Sequence, residues 1–349
     1  KFALIDPETE TASIEGGVEA IGTPEMRLTV GERVTEMAHG DYQRAMEAIV
    51  ESIGSPQLAG IGHRVVHGGE RFAESQRITP EVIEGIRACI PLAPLHNPAN
   101  LLGIEMAGHL FGDVPQVAVF DTAFHQTLPK RAYLYAVPYE LYEERQVRRY
   151  GFHGISHAYV TKQAERLFGA KRCVSCHLGN GCSLAAVADG KSLDTTMGLT
   201  PLEGLMMGTR SGDIDPGLLS YLGGSIEEHT DMLNRESGLL GISGVSMDMR
   251  QLEADGSERS LLAIEMFCYR VAKGIMAMSV PLGEVDMVIF TAGIGEHAKG
   301  VHKRVLELLP GYTYGPNGGR LTPNGTPLAA VIPTNEAAMI AAETVRCLA

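Results

Sequence analysis

The chain has 349 residues, enough for two separately packed cores, since a single core rarely grows beyond about 250 to 300 residues. Its 44% hydrophobic and 20% charged residues are those of an ordinary soluble globular protein, and no apolar run approaches the ~18 residues of a membrane helix, so disorder and a membrane span are excluded. A net charge of −13, from 29 Lys+Arg against 42 Asp+Glu, excludes an extended nucleic-acid surface and leaves small anions bound at local arginines. No signal-peptide pattern opens the sequence and the 6 cysteines are scattered, so a cytoplasmic, reducing location is expected.

Along the chain, apolar periodicity predicts helices over 42–53 and 97–110, the second with Asn97 as cap and Pro98 at the first helical position. A β-rich run over 116–120 ends at Asp121. A helix over 156–168 is followed by a strand over 172–178 that ends at Gly179. A helix over 258–278 precedes strands over 285–290, ending before Gly293, and 329–332, ending before Asn335. Between those strands, 311–327 is rich in Gly, Pro, Asn and Thr and reads as a surface loop or hairpin. The last helix is expected over 336–348. This alternation predicts an α/β protein with functional residues at strand ends.

The chemistry-bearing residues cluster in GHRVVHGGE (62–70), VFDTAFH (119–125), YGFHGISH (150–157), CHLGNG (176–181), MMGTRSGDIDPG (206–217), FTAGIGE (290–296) and IPTNE (332–336). Arg64 and Arg210 suit an oxyanion, because a guanidinium stays charged and binds such groups through a bidentate fork. Asp121, at a strand end, suits a hard cation; Glu336 does too, although a glutamate in a first helical turn is favoured by the helix dipole in any case. A Walker A loop is excluded: the glycine needed five residues before Gly190-Lys191-Ser192 is Ala185. Residues 293–298 satisfy a loose dinucleotide fingerprint, but no acid stands about 20 positions on, which weakens a Rossmann reading. Asn180-Gly181 fits a phosphate-contacting hairpin and a plain two-residue turn equally well. Cys173 and Cys176 form a CxxC, expected to be buried strand rather than a metal or redox site.

In this order and spacing the segments resemble the acetate kinase family over nearly the whole chain. The resemblance implies a two-lobed, actin-like/ribonuclease-H-like duplicated fold with the active site in the interdomain cleft, one lobe from 1–124 plus 334–349 and a nucleotide-binding lobe from 125–333. It implies Mg²⁺-dependent (or Mn²⁺-dependent), reversible transfer of the ATP γ-phosphoryl to acetate by direct in-line attack, giving acetyl phosphate and ADP, in a homodimer. By position it assigns catalysis to Arg64, Asp121, His153 and Arg210, the metal to Asp121 and Glu336, and the acetate site to Arg64, Val66, Leu95, His96, Phe152 and Pro201. ATP or ADP is assigned to His177, Gly179, Asn180, Gly181, Asp248, Met249, Arg250, Gly293, Ile294 and Gly295. For Asp248 and Arg250, an ion pair on a surface loop is the competing reading. His63, His67, His125 and His157 are expected to be structural. The family carries a strand and an Asn-x-Gly-Ser-Ser-Ser turn immediately before the Lys1-Phe2 pair, so the first strand of the first lobe is expected to be missing from the sequence as given.

Val66 favours acetate, since a smaller residue would admit another methylene, a difference worth about 1 to 3 kcal/mol. A propionate or butyrate kinase is therefore the near alternative. A non-catalytic, ATP-switched actin-like module is the distant one, and it would need no acceptor-side arginines and histidines.

Overall fold

The first residues form an antiparallel meander of β1 (Phe2–Asp6), β2 (Thr11–Glu19), β3 (Arg27–Val30) and β4 (Arg33–Glu36). Sequence reading missed this sheet for a physical reason: β2 and β4 are mostly exposed, so the apolar alternation that marks a half-buried strand is absent. The computed structural model describes every residue except His39, Ser55, Leu95, Gly318, Gly325 and Thr326. It divides the chain into two units, Lys1–Ala123 with Asn335–Ala349, and Phe124–Thr334.

In the first unit a second sheet joins β5 (Ile61–Val65), β6 (Gln76–Arg77) and β7 (Gln116–Phe120) in the order β5-β7-β6, with β5 parallel to β7. Val65, Ala118 and Phe120 from these strands pack with Ile86, Leu101 and Ile104 from the helices Pro80–Ala88 and Asn97–Phe111. Phe72 stacks on Phe120 with ring centroids 4.5 Å apart. The final helix, Glu336–Leu348, lies against β5. A Cβ on Gly62 would stand 2.3 Å from Thr344 Oγ1 and 2.5 Å from Ile340 Cγ2, so that glycine sets how closely helix and strand approach.

Asn97 is not the cap of its helix but its first residue, with His96 at the N-cap position. The reason is burial: Asn97 is fully enclosed, and its amide accepts from the His67 N–H and donates to the His67 carbonyl.

The second unit is built on one sheet, in the order β10-β9-β8-β11-β12, of β8 (Arg172–Leu178), β9 (Cys182–Ala188), β10 (Lys191–Thr195), β11 (Met287–Thr291) and β12 (Leu328–Val331). β8, β11 and β12 run parallel, and β9 and β10 add as antiparallel strands. Every residue of β11 is buried, which is why it reads as a continuous apolar run. The helix Gly154–Phe168 covers one face, placing Val160 and Ala164 against Cys173, Met287 and Ile289. Cys173 and Cys176, three residues apart on β8, point to opposite faces, and burial pushes the Cys173 thiol up to about 12, so they form neither a chelate nor a reactive pair.

Segment 311–327 holds isolated bridges rather than a regular hairpin among its described residues, and two of its own residues, Leu321 and Thr322, are buried.

Candidate active site

Three predicted residues of the first unit meet. Arg64, near the end of β5, donates from Nη2 to Asp121 Oδ2 at 2.7 Å, and its Nε lies 3.8 Å from Glu336 Oε2. Parallel pairing of β5 with β7 sets this up: Arg64 and Val119 are in register, and the Asp121 N–H donates to the Val65 carbonyl one step beyond the last strand residue. Glu336 arrives from the first turn of the final helix, whose N-cap, Asn335, accepts from the Ala338 N–H. Asp121 raises the Arg64 guanidinium above its ordinary value. Burial, and then the negative charge of Asp121, push the Glu336 carboxyl upward against the pull of Arg64. Two oxygen-donor carboxylates on one arginine, with Glu336 made costlier to charge by Asp121, suit a hard divalent cation, which would relieve that repulsion.

Val66 follows directly on β5 and is buried. Its N–H donates to Asn100 Oδ1 at 3.0 Å, while Asn97 holds the neighbouring His67 backbone, so one helix N-terminus fixes both residues. His67 is fully buried, and burial lowers its imidazole to about 4. Nothing in the local sequence marks Asn97 and Asn100 as holding this segment, since their partners lie some thirty residues away. Leu95 lies outside the described residues.

The second unit gathers a different set. His153 adopts a left-handed backbone, φ 56°, at the N-cap of the helix Gly154–Phe168, which is why that helix begins earlier than its apolar periodicity suggests. Its ring stacks on His177 of β8 with centroids 4.0 Å apart and planes within 14°. A Cβ on Gly181 would lie 3.3 Å from His153 Nε2 and 3.5 Å from Arg210 Nη1, so both groups border the same small space. Arg210 also donates to the Pro201 carbonyl at 3.1 Å, and burial lowers its guanidinium. Phe152 is buried, its carbonyl 3.0 Å from His125 Nε2.

The β8–β9 turn is not the two-residue Asn-Gly type. Leu178 pairs with Cys182, leaving Gly179, Asn180 and Gly181 as a longer loop, and none of them adopts a positive φ. The Asn180 carbonyl accepts from the Gly208 N–H, and a Cβ on Gly208 would lie 2.1 Å from Asn180 Oδ1. Thus Gly208 gives Asn180 its room, beside Arg210.

Asp248 caps the short helix Met249–Asp255, and Arg250 turns back onto it at 2.6 Å with its own side chain exposed; Met249 is buried. Gly293, Ile294 and Gly295 do not form an open turn but belong to the helix Ala292–His297, which starts straight after β11. Glu296 Oε1 ties that helix down by accepting from the Ala292 and Thr334 N–H groups, and His302 Nε2 lies 2.7 Å from the Gly295 carbonyl. Space next to Gly293 is open, with no atom within 4 Å of where a Cβ would stand.

The profile of the Acetokinase family matches residues 1–342. An acetate kinase of Ectopseudomonas mendocina is 48% identical over 377 aligned residues, covering 100% of this chain and 96% of that protein. Crystal structures of a propionate kinase from Francisella tularensis (TM-score 0.95, 43% identity, 99% of this chain and 96% of that one) and an acetate kinase from Porphyromonas gingivalis (TM-score 0.92, 39% identity, 99% and 96%) share its fold.

Proposed function

Because this chain belongs to the acetokinase family, whose acetate and propionate kinase members share its mixed α/β, actin-like fold, we propose that it transfers the γ-phosphoryl group of ATP reversibly to acetate, giving acetyl phosphate and ADP. The observation that carries the reading is the joint placement of Arg64, Asp121 and Glu336, one cation with two carboxylates, at a strand end and a helix start.

In this reading the acceptor needs no general base, since an ionised carboxylate has no proton to lose. Arg64 and His96 are the residues that the family resemblance assigns to orienting it, and Val66, Leu95, Phe152 and Pro201 those it assigns to the methyl group. One carboxylate oxygen attacks the γ-phosphorus as the bond to the β,γ-bridging oxygen breaks, and that oxygen leaves on ADP with the electron pair. Charge spreads over the equatorial oxygens of the moving group, where Arg64, Arg210 and a hydrogen bond from His153 stabilise it. Asp121 and Glu336 would hold Mg²⁺, which would neutralise phosphate charge. His177, the 179–181 loop with Asn180, the Asp248–Arg250 segment and Gly293–Gly295 hold the nucleotide.

Among the described residues no helix is long and apolar enough to cross a membrane. A cytoplasmic homodimer is the setting we propose, on the family resemblance. The likeness to a propionate kinase keeps propionate as a slower second substrate.

Initial rates with Mg·ATP and acetate, propionate or butyrate, with acyl phosphate trapped as hydroxamate, test the proposal. Turnover led by acetate is expected. A longer acid in the lead would change the substrate, and ATP binding without acyl phosphate from any acid would overturn the kinase reading.

A further inference from the structure

His153 caps the helix Gly154–Phe168 and Ser156 and His157 lie in its first turn, and all three reach the β8 and β9 strands. On β8, Ser175 and His177 alternate onto the sheet face that this helix covers, and Ser183 of β9 is paired in register with His177. The result is a continuous buried chain of polar atoms. Ser183 Oγ lies 2.9 Å from His153 Nδ1 and 2.8 Å from His157 Nε2, and His157 Nδ1 lies 2.8 Å from Ser175 Oγ.

This chain has a direction. His157 has no exposed surface, and burial, reinforced by His125 and His177, holds it neutral, so one ring nitrogen donates and the other accepts. Each serine hydroxyl has a single hydrogen to give. Three arrangements therefore satisfy every link, since a serine oxygen can also accept twice. In the first, Ser175 donates to His157 Nδ1, His157 Nε2–H donates to Ser183, and Ser183 donates to His153 Nδ1. In the second, every bond is reversed; in the third, Ser175 donates to His157 Nδ1 while Ser183 accepts from both His157 Nε2–H and His153 Nδ1–H.

Ser183 is fully buried, and the third order would leave its O–H without an acceptor among the partners found for it, which excludes that order; the other two are separated by Ser175. It is fully buried, and among the described residues His157 is the hydrogen-bond partner found for its hydroxyl. The reversed order would leave a buried O–H with no acceptor, whereas the first order leaves only an unused lone pair, which costs less. The first order also places the His153 proton on Nε2, the nitrogen that borders the space beside Gly181 together with Arg210 Nη1.

We propose that Ser183 is a positioning residue which, with His157 and Ser175 behind it, fixes His153 as the tautomer carrying its proton on Nε2, so that His153 meets an incoming phosphoryl oxygen as a hydrogen-bond donor. The inference rests on the kinase reading for its purpose but not for its geometry. His157 is thereby more than a packing residue.

The test is long-range ¹H–¹⁵N correlation on protein labelled at histidine nitrogens, near neutral pH, with His153 assigned through His153→Gln. The wild type is expected to show His153 protonated at Nε2. Ser183→Ala is expected to mix the two tautomers and lower kcat on the order of tenfold, with KM for ATP within about twofold. Ser183→Thr, which keeps the hydroxyl, restores both. Ser175→Ala should also move the His153 signals, although it touches His153 nowhere, and it serves if Ser183→Ala fails to fold. A wild-type His153 protonated on Nδ1, or an unchanged tautomer in the alanine variants, would overturn the relay. The expected spectrum supports it even where the wild type forms no acyl phosphate, a result that would remove the kinase reading alone.

Discussion

Arg64 and Asp121 form an ion pair at 2.7 Å whose members differ sharply in exposure: the Asp121 side chain is 1% exposed and that of Arg64 40%. The carboxylate is fixed in the wall, while the guanidinium keeps one edge toward solvent, where a ligand can reach it.

Replacing Asp121 with Asn keeps the shape and removes the charge. Because Arg64 stays partly solvated, the stability loss should be modest, about 1 kcal/mol in urea unfolding. Turnover should fall on the order of 10²-fold or more, with a weaker dependence on Mg²⁺ concentration. An Asn variant whose rate saturated with Mg²⁺ as the wild type does would remove Asp121 from the metal site.

Arg210→Ala deletes a cation that borders the Gly181 space and releases one hydrogen bond to the Pro201 carbonyl. The hydrogen bond accounts for about 1 kcal/mol of stability. Loss of transition-state stabilisation should lower turnover on the order of 10³-fold. Thermal unfolding measured beside steady-state kinetics separates the two effects, and near-normal turnover would sink the assignment.

Val66→Ala should shift the ratio of kcat/KM for propionate over acetate upward by about tenfold, as expected for one methylene of added space. The Asn100 bond goes to the Val66 backbone, so the loop geometry should survive the substitution. An unchanged ratio would mean that Val66 does not line the acyl site.

His67 predicts a pH dependence of stability. An exposed imidazole takes up a proton below about 6.5, whereas folded His67 stays neutral down to about 4. Between those values the unfolded chain binds more protons, so stability rises with pH across this window and is lost as pH falls from about 6.5 toward 4, with a full effect of about 3 kcal/mol. Urea unfolding at about pH 7 and about pH 5 should show the loss, and His67→Gln should reduce it by the share of that one imidazole, leaving that of the other buried histidines such as His63. Equal slopes in the two proteins would count against a neutral, buried His67.

Some of this was legible in the sequence because it is local. The run from Gln116 to Phe120 is apolar and stops at a carboxylate, so both the strand and the placement of Asp121 at its end follow from the pattern. The helices at Tyr42–Ile53 and Glu336–Leu348 declare themselves by periodicity and by their caps. What stayed hidden depends on partners far away in the chain. Ser175, Ser183 and Ser156 look like any buried serine until a helix and two strands are laid against each other. The serine-to-histidine register was present in the i, i+3, i+4 and i, i+2 spacings, but neither spacing alone names its partner. Asn97 misled for a related reason: a good capping residue was taken by the His67 backbone instead.

The helix carrying Glu336 packs on the strand carrying Arg64, yet it is made only after the entire second unit. At about 5 to 20 residues per second, a ribosome needs roughly ten to forty seconds to travel from Asp121 to Glu336. Throughout that interval the nascent first unit has Arg64 and Asp121 in hand but not the second carboxylate, and the flat strip of β5 at Gly62 is uncovered. Assembly of the Arg64, Asp121 and Glu336 cluster thus waits on synthesis of the whole second unit, so that a chain stalled anywhere between Asp121 and Glu336 lacks the second carboxylate.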